Sequence, residues 1–310
     1  MILDHFDVTS EEYAVVFTAN ATHALRIVAD NFEFDGRDFT ETRFSTLPQG
    51  KGPMFAYLRD SHNSVVGMRE VVKGKVEEVL CVDRCEVLLN NVNCGLFTMT
   101  AMSNFCGRKY DLSLVAELER LGWWICLDAA SLVSTSHLSL KEVRPHFVAI
   151  SFYKIFGYPT GIGALLVRRD AINRLQPRAF AGGTVRQILS DEFYSVLRDN
   201  IEERLEQGTL NYYAICALSK GFDDLKRHGA FGVFMTSTSR KLLWLPDKQS
   251  PIVVKKYRNF DDISIPRASK VAKMAALYGI DLRTGCFCNS GACQMYLEHS
   301  NDQLRHYFEV

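Results

Sequence analysis

Phe147-Val148-Ala149-Ile150-Ser151-Phe152-Tyr153-Lys154-Ile155-Phe156-Gly157-Tyr158-Pro159-Thr160-Gly161-Ile162-Gly163-Ala164-Leu165-Leu166-Val167 is the stretch that decides the fold. Two apolar runs flank a glycine-punctuated turn that carries one lysine. The pattern reads as strand, loop, strand, with Lys154 at the tip of the first strand. A lysine set between apolar strands is desolvated, and desolvation lowers its pKa towards the neutral amine. A neutral amine forms Schiff bases with carbonyl compounds. The same spacing also suits a surface lysine in a turn, and the stretch alone does not choose between the two.

A second residue bears on that choice. Trp123-Trp124-Ile125-Cys126-Leu127 is a continuous apolar run that ends in Asp128. It reads as a buried strand with a carboxylate at its carboxyl edge. In open α/β sheets, ligands bind at the carboxyl ends of strands. Alone, Asp128 reads equally as a helix cap or a turn residue. Paired with Lys154, it matches what pyridoxal phosphate requires: a lysine for the covalent link and a carboxylate that keeps the pyridine nitrogen protonated.

The segments around these two alternate in period. Positions 14–18, 55–58, 86–89 and 96–100 read as strands. Positions 22–32 read as a helix with Leu25, Val28, Ala29 and Phe32 on one face, and 64–72 as a further helix. Positions 111–121 read as a helix capped by Asp111, striped by Leu114, Val115, Leu118 and Leu121, and stopped by Gly122. Alternating strands and helices predict an α/β fold with a mostly parallel sheet. Gly182-Gly183-Thr184 marks a loop, and 209–225 carries a long helical pattern. The pattern weakens over 234–251, which holds two prolines. The expected division is a large domain over 1–235 and a smaller C-terminal α/β domain over 252–310.

The 310 residues suffice for such a core. Lys plus Arg and Asp plus Glu each number 36, so no net charge recruits nucleic acid or an anionic membrane. No apolar run reaches the ~18 residues of a membrane span. The acidic start, Met1-Ile2-Leu3-Asp4-His5-Phe6-Asp7, lacks the basic region of a secretory signal. With nine cysteines and no such signal, the expectation is free thiols in a reducing, cytoplasmic compartment.

Three of those cysteines cluster in Arg283-Thr284-Gly285-Cys286-Phe287-Cys288-Asn289-Ser290-Gly291-Ala292-Cys293. Three readings stay open. A metal site would need a fourth ligand from elsewhere, because C-x-C-x4-C is neither a pair of C-x2-C motifs nor a ferredoxin run. Inert buried thiols are common in cores, although the glycine and Asn-Ser-Gly flanks favour a loop. A nucleophilic thiol would have its pKa lowered by a cation such as Arg283.

Lys154 in SFYKIFGYPTGIGAL, Asp128 in LDAASLVSTS and the segment RTGCFCNSGACQ together resemble the eukaryotic molybdenum cofactor sulfurases. NATHALRIVADNF, YLRDSHNSVVGMRE, NFCGRKYDL and FAGGTV extend the resemblance along most of the chain, and RTGCFCNSGAC is its most specific piece. The resemblance implies a fold-type I pyridoxal phosphate enzyme with a catalytic domain like that of cysteine desulfurases. It implies that Lys154 links to the cofactor and that Asp128 pairs with the pyridine nitrogen. By the same resemblance His62 stacks on the ring and Asn104 contacts the ring region. Ala21 and Thr22 would hold the phosphate at a helix N-terminus, with Ser151 and Tyr153 as side-chain donors. Thr184 would reach the phosphate of a neighbouring subunit in a homodimer. Cys288 would carry a persulfide, with Cys286 and Cys293 accessory, Arg283 supporting substrate or thiolate, and no metal. Read without the resemblance, His62, Asn104 and Ser151 are ordinary turn residues and Tyr153 is packing.

The implied activity is sulfur transfer from L-cysteine through the persulfide to the molybdenum cofactor of xanthine dehydrogenase and aldehyde oxidase, with alanine released. The alternatives are a general cysteine desulfurase serving another acceptor, or a non-catalytic relic of the fold. Against the family pattern, Asn20 stands where glycine is usual, and 234–251 is short for a small-domain stretch. The resemblance also leads one to expect an N-terminal segment, a carboxylate-binding arginine beyond position 310, and a C-terminal cofactor-binding domain, so the sequence reads as a shortened form.

Overall fold

Strands that are apolar on both sides need cover on both faces. The computed structural model describes residues 1–34, 53–91, 95–157, 160–177, 182–228, 268–280 and 283–309, and it contains a sheet covered in that way. In chain order the elements are α1 (Ile2–His5), β1 (Tyr13–Thr18), α2 (Ala21–Asn31), β2 (Met54–Leu58), α3 (Asn63–Val72), β3 (Glu78–Val82) and β4 (Gly95–Thr100). Next come α4 (Leu114–Arg120), β5 (Trp124–Asp128), α5 (Leu140–Val143), β6 (Phe147–Ser151), α6 (Phe152–Phe156) and β7 (Gly163–Arg168). The hairpin strands β8 (Val185–Ile188) and β9 (Ser195–Leu197) precede α7 (Ile201–Leu205) and α8 (Tyr212–His228). Helices α9 (Ala268–Leu277), α10 (Ser290–Leu297) and α11 (Asn301–Glu309) follow.

Seven strands pair in the order β1-β7-β6-β5-β4-β2-β3. All run parallel except β7, which is antiparallel to both β1 and β6. Successive side chains leave a strand on opposite faces. Ile125, Leu127, Val148 and Ile150 therefore enter one core with Leu118, Phe152, Leu218 and Phe222. Cys126, Phe147 and Ala149 enter the other, with Leu25 and Val28 of α2, Val65 and Met68 of α3, and Leu205 of α7. The α/β class and the mostly parallel sheet expected from the sequence are what the structure shows.

Several local expectations differ. The segment expected as a strand over 86–89 is a 3-10 turn, Cys85–Asn90. It buries Cys85 and Leu88, three positions apart, which is the spacing of a helical turn. The strand lies earlier, at Glu78–Val82, on the sheet edge. Helix α4 begins at Leu114, because the Asp111 carboxylate accepts from the Ser113 N–H and hydroxyl and closes a turn instead of capping a helix. The expected division between 235 and 252 falls outside the described residues. Within the region expected to be a small α/β domain, the described residues form helices α9, α10 and α11. Among the described residues no helix is long and apolar enough to cross a membrane.

Candidate active site

The carboxyl ends of β1, β4, β5 and β6 meet at one edge of the sheet, and antiparallel β7 enters at that same edge. A cavity of about 370 Å³ opens there. Its wall includes Asn20 and Ala21 after β1, Thr100 at the end of β4, Asp128 at the end of β5, Ser151 at the end of β6, and Tyr153 and Lys154 in α6 just after it. Gly163 is the hinge of this convergence. A Cβ on it would lie 2.8 Å from the Asn20 Cα and press on the Ile150 carbonyl, so only glycine lets β7 pass so close to the turn at Asn20.

Lys154 does not sit at the tip of a strand-loop turn. The chain turns directly from β6 into the short helix α6, which ends at Gly157 in the left-handed region (φ 85°). Lys154 is half-buried in the middle of that turn and lines the cavity. Asp128 is buried, and its Oδ1 accepts the Ala130 N–H. Burial pushes its carboxyl pKa up, opposed by the Lys154 and His62 charges and by the Ala130 N–H. A buried carboxylate held in this way is most comfortable beside a further cation. His62 caps α3. Its Nδ1 accepts the Ser64 N–H at 3.1 Å, so the neutral ring carries its proton on Nε2. Burial lowers the His62 pKa, Asp128 raises it and Lys154 lowers it, with a net fall.

Part of the cavity wall is built for an anion. Asn20 caps the eleven-residue helix α2, its side chain accepting from the His23 N–H at 3.0 Å. The Asn20 backbone is extended (φ −176°), which any residue adopts, so glycine is not needed there. The Ala21 N–H donates to the Ser151 hydroxyl oxygen at 2.8 Å, leaving the Ser151 proton to donate elsewhere. The Thr22 and Ser64 hydroxyls are 2.7 Å apart on the same wall. A helix N-terminus with hydroxyls suits a phosphate group. An amine, a buried carboxylate and this anion end fit pyridoxal phosphate.

The cysteine loop docks beside the cavity. The Asn104 side-chain amide donates to the Phe287 carbonyl at 2.6 Å, while its oxygen accepts from Asn289 Nδ2 at 3.0 Å. Asn289 Nδ2 also donates to Asp60 Oδ1 at 2.7 Å. Asp60 is buried and accepts from Ser103 and Tyr110 as well. The Asn63 N–H, next to His62, donates to the Cys288 carbonyl at 2.6 Å. Gly291 packs on Arg59 so closely that a Cβ would collide with the Arg59 carbonyl. Cys288 itself is exposed and unbridged. The expectation of free thiols is corrected at two positions, since Cys286 and Cys293 form a disulfide. The Arg283 guanidinium lies over the Phe287 ring, 5.2 Å from its centre, within the same loop.

The structure thus brings together in one cavity Ala21, Thr22, His62, Asn104, Asp128, Ser151, Tyr153 and Lys154. Cys288 and Arg283 stand outside its lining, on the loop docked against it. Thr184 is fully buried at the root of the β8–β9 hairpin and does not line the cavity of its own chain. Sequence reading missed Asp60, Asn63, Ser64 and Asn289. The Asx residue followed by Ser-Gly before an apolar segment was a signal for the Asn289 cap of α10, whose side chain accepts the Ala292 N–H.

Comparison with known proteins places this geometry. The chain is 43% identical to a molybdenum cofactor sulfurase of Caenorhabditis elegans over 98% of its length, covering 47% of that protein. It is 38% identical to a molybdenum cofactor sulfurase of Homo sapiens over its whole length, covering 39% of that protein. The chain therefore spans less than half the length of these curated relatives. Its fold matches the cysteine desulfurase CsdA of Escherichia coli with a TM-score of 0.71 at 17% identity, over 94% of this chain and 73% of that one. A cysteine desulfurase of Thermococcus onnurineus matches with a TM-score of 0.68 at 18% identity, over the same shares. The family model described as Aminotransferase class-V matches residues 5–233, and the chain belongs to that family.

Proposed function

We propose that this chain is the cysteine-activating unit of a molybdenum cofactor sulfurase. It takes sulfur from L-cysteine, holds it as a persulfide on Cys288, and passes it to the molybdenum cofactor of xanthine dehydrogenase and aldehyde oxidase, with alanine as the carbon product. The observation that carries this reading is the docking of the Cys288 loop on the cavity wall through Asn104, which lines the cavity and holds Phe287 at once.

When bound, pyridoxal phosphate supplies an electron sink for the carbon that loses its proton. Lys154 holds the cofactor covalently. The Asp128 carboxylate keeps its pyridine nitrogen charged, and the N-terminus of α2 with Ser151 and Thr22 anchors its phosphate. His62 stays neutral, with Nδ1 occupied by Ser64, and presents only an N–H from its other nitrogen. The Cys288 thiolate then attacks the substrate sulfur. A sulfur–sulfur bond forms as the substrate carbon–sulfur bond breaks, its electron pair staying with the three-carbon fragment, which takes up a proton and departs as alanine. Because Cys288 stands outside the cavity lining, the loop must move inwards for this step.

Two further expectations belong to the same reading. In a two-fold homodimer, reciprocal by symmetry, Thr184 reaches the partner's phosphate once the hairpin root that buries it in the single chain opens. The protein works in the cytoplasm, where thiols persist. The test is to load the chain with pyridoxal phosphate and follow alanine release from L-cysteine. Cys288→Ser should keep the cofactor's visible absorbance and lose alanine release. Unchanged alanine release from Cys288→Ser would overturn the assignment.

A further inference from the structure

Cys288 lies between two cysteines that the loop brings together. Cys286 precedes it by two residues, and Cys293, in α10, follows by five. Two residues of chain span at most about 7 Å, so Cys286 is always near Cys288. Cys286 and Cys293 are bonded to each other, with their Cα atoms 5.3 Å apart, while Cys288 is an exposed thiol. A bonded outer pair around a free central thiol is the state that one particular reaction leaves behind.

We infer that Cys286 and Cys293 form an internal dithiol that releases the sulfur carried by Cys288 as hydrosulfide. The inference rests on the reading of Cys288 as the persulfide carrier. In the first step the thiolate of Cys286, two residues away, attacks the outer sulfur of the Cys288 persulfide. A sulfur–sulfur bond forms on Cys286, the one on Cys288 breaks, and Cys288 leaves as a thiolate that takes up a proton. In the second step the Cys293 thiolate attacks the inner sulfur on Cys286. The Cys286–Cys293 bond forms and hydrosulfide departs. Two thiols lose two electrons to become a disulfide, and the transferred sulfur gains them. The two thiol protons end on Cys288 and on the departing sulfide. An external thiol reductant resets the pair before the next turnover.

The loop's geometry suits this cycle. Phe287 and Cys288 both occupy the left-handed region, at φ 53° and 57°. Neither is glycine, so this backbone is strained and must be held. The bridge closes the chain around them, and Asn104 and Asn63 hold their carbonyls from outside. Opening the bridge removes one of these restraints, so the reduced loop is the one freer to carry Cys288 towards the cavity.

The test uses the full chain, reduced, desalted under nitrogen and given a stoichiometric amount of glutathione persulfide, which loads Cys288 without the cofactor. A parallel arm uses pyridoxal phosphate and L-cysteine. Released sulfide and the mass of the alkylated loop peptide are read in both arms. The wild-type chain should release sulfide and gain the Cys286–Cys293 bridge together. Cys286→Ser should retain the sulfur on Cys288, and Cys293→Ser should stop with the sulfur on Cys286, each with sulfide release slowed at least about tenfold. Cys106→Ser, at a thiol that packs against the Cys293–Phe287 cluster and bonds the Tyr296 hydroxyl, should behave as wild type; bound-cofactor absorbance checks that every variant is folded. Sulfide released at the wild-type rate from Cys293→Ser, or a bridge that forms equally fast without the persulfide, would overturn the dithiol and leave a structural staple. A cysteine arm without alanine beside a persulfide arm that behaves as expected would count against the proposed function alone.

Discussion

Asn104 donates to the Phe287 carbonyl at 2.6 Å, and so one wall residue of the cavity holds the loop that bears Cys288. Asn289 completes the latch by bonding both Asn104 and buried Asp60. The distance between cofactor chemistry and sulfur acceptance is therefore set by a few hydrogen bonds, each worth about 1 kcal/mol net.

Gly291→Ala tests the latch without touching the cavity. The new Cβ meets the Arg59 carbonyl, which belongs to backbone and cannot swing aside. Helix α10 must lift, and overpacking of this kind costs about 1–3 kcal/mol. The docked loop should become ten- to a hundredfold less populated, at ~1.4 kcal/mol per tenfold. Persulfide formation measured by single-turnover mass spectrometry should slow accordingly, with cofactor affinity unchanged. A slowed reaction with weakened cofactor binding would mean that the loop is part of the cofactor site.

Gly163→Ala tests the anion end. Its Cβ would force apart β7, the Ile150 carbonyl and the Asn20 turn. The phosphate-binding turn should shift, and cofactor affinity should fall about tenfold or more for a strain of ~1.4 kcal/mol or more. An absorbance titration with pyridoxal phosphate reads this directly. Unchanged affinity would place the phosphate elsewhere.

Stability should fall with acid through a network remote from the site. Arg168 is buried and bonds Glu119 at 2.6 Å, and His146 Nε2 lies 3.5 Å from the same carboxylate. Burial pushes the Glu119 carboxyl up, but hydrogen bonds from His146 and Arg168 outweigh it and hold it well below the usual range. Burial lowers the His146 pKa, against the pull of Glu119. Both groups bind protons more readily when unfolded, so both contribute stability that is present above their unfolded pKa values and lost as pH falls through the folded ones. The melting temperature should begin to drop below about pH 6.5, from His146 together with His5, His23 and His62, whose pKa values burial also lowers, and more steeply below about pH 4.3, from Glu119. Thermal melts from pH 8 downward check this. A melting temperature that is flat or rising below pH 6 would contradict it. Glu119→Gln, which leaves the buried Arg168 with Asp170 as its remaining charged partner, should cost roughly 1.5–3 kcal/mol.

The sequence made some of this legible and hid the rest for physical reasons. Asp128 stood out because a continuous apolar run delivered it to the end of β5, and Lys154 because it follows such a run within one helical turn; strands buried on both faces leave that mark. Helices α2 and α3 were visible within one residue of their observed ends, because their apolar stripes face the core. The edge strand β3 was hidden because its first residues are exposed and carry no alternation. The β8–β9 hairpin was missed because much of it is exposed and it pairs apart from the main sheet. Asp60 and Asn289 were hidden more deeply. Their bond joins residues 229 positions apart, and no local pattern announces such a partner.

The most direct measurement of the central claim is the fate of an isotopically labelled cysteine sulfur. The chain, loaded with pyridoxal phosphate, is given labelled L-cysteine for a single turnover, and its peptides are mapped by mass spectrometry. The account predicts one added labelled sulfur on the peptide containing Cys288, with fragmentation placing it first on Cys288, and no such addition in Cys288→Ser. Labelled sulfur appearing first on another cysteine, or alanine formed at the wild-type rate by Cys288→Ser, would contradict it.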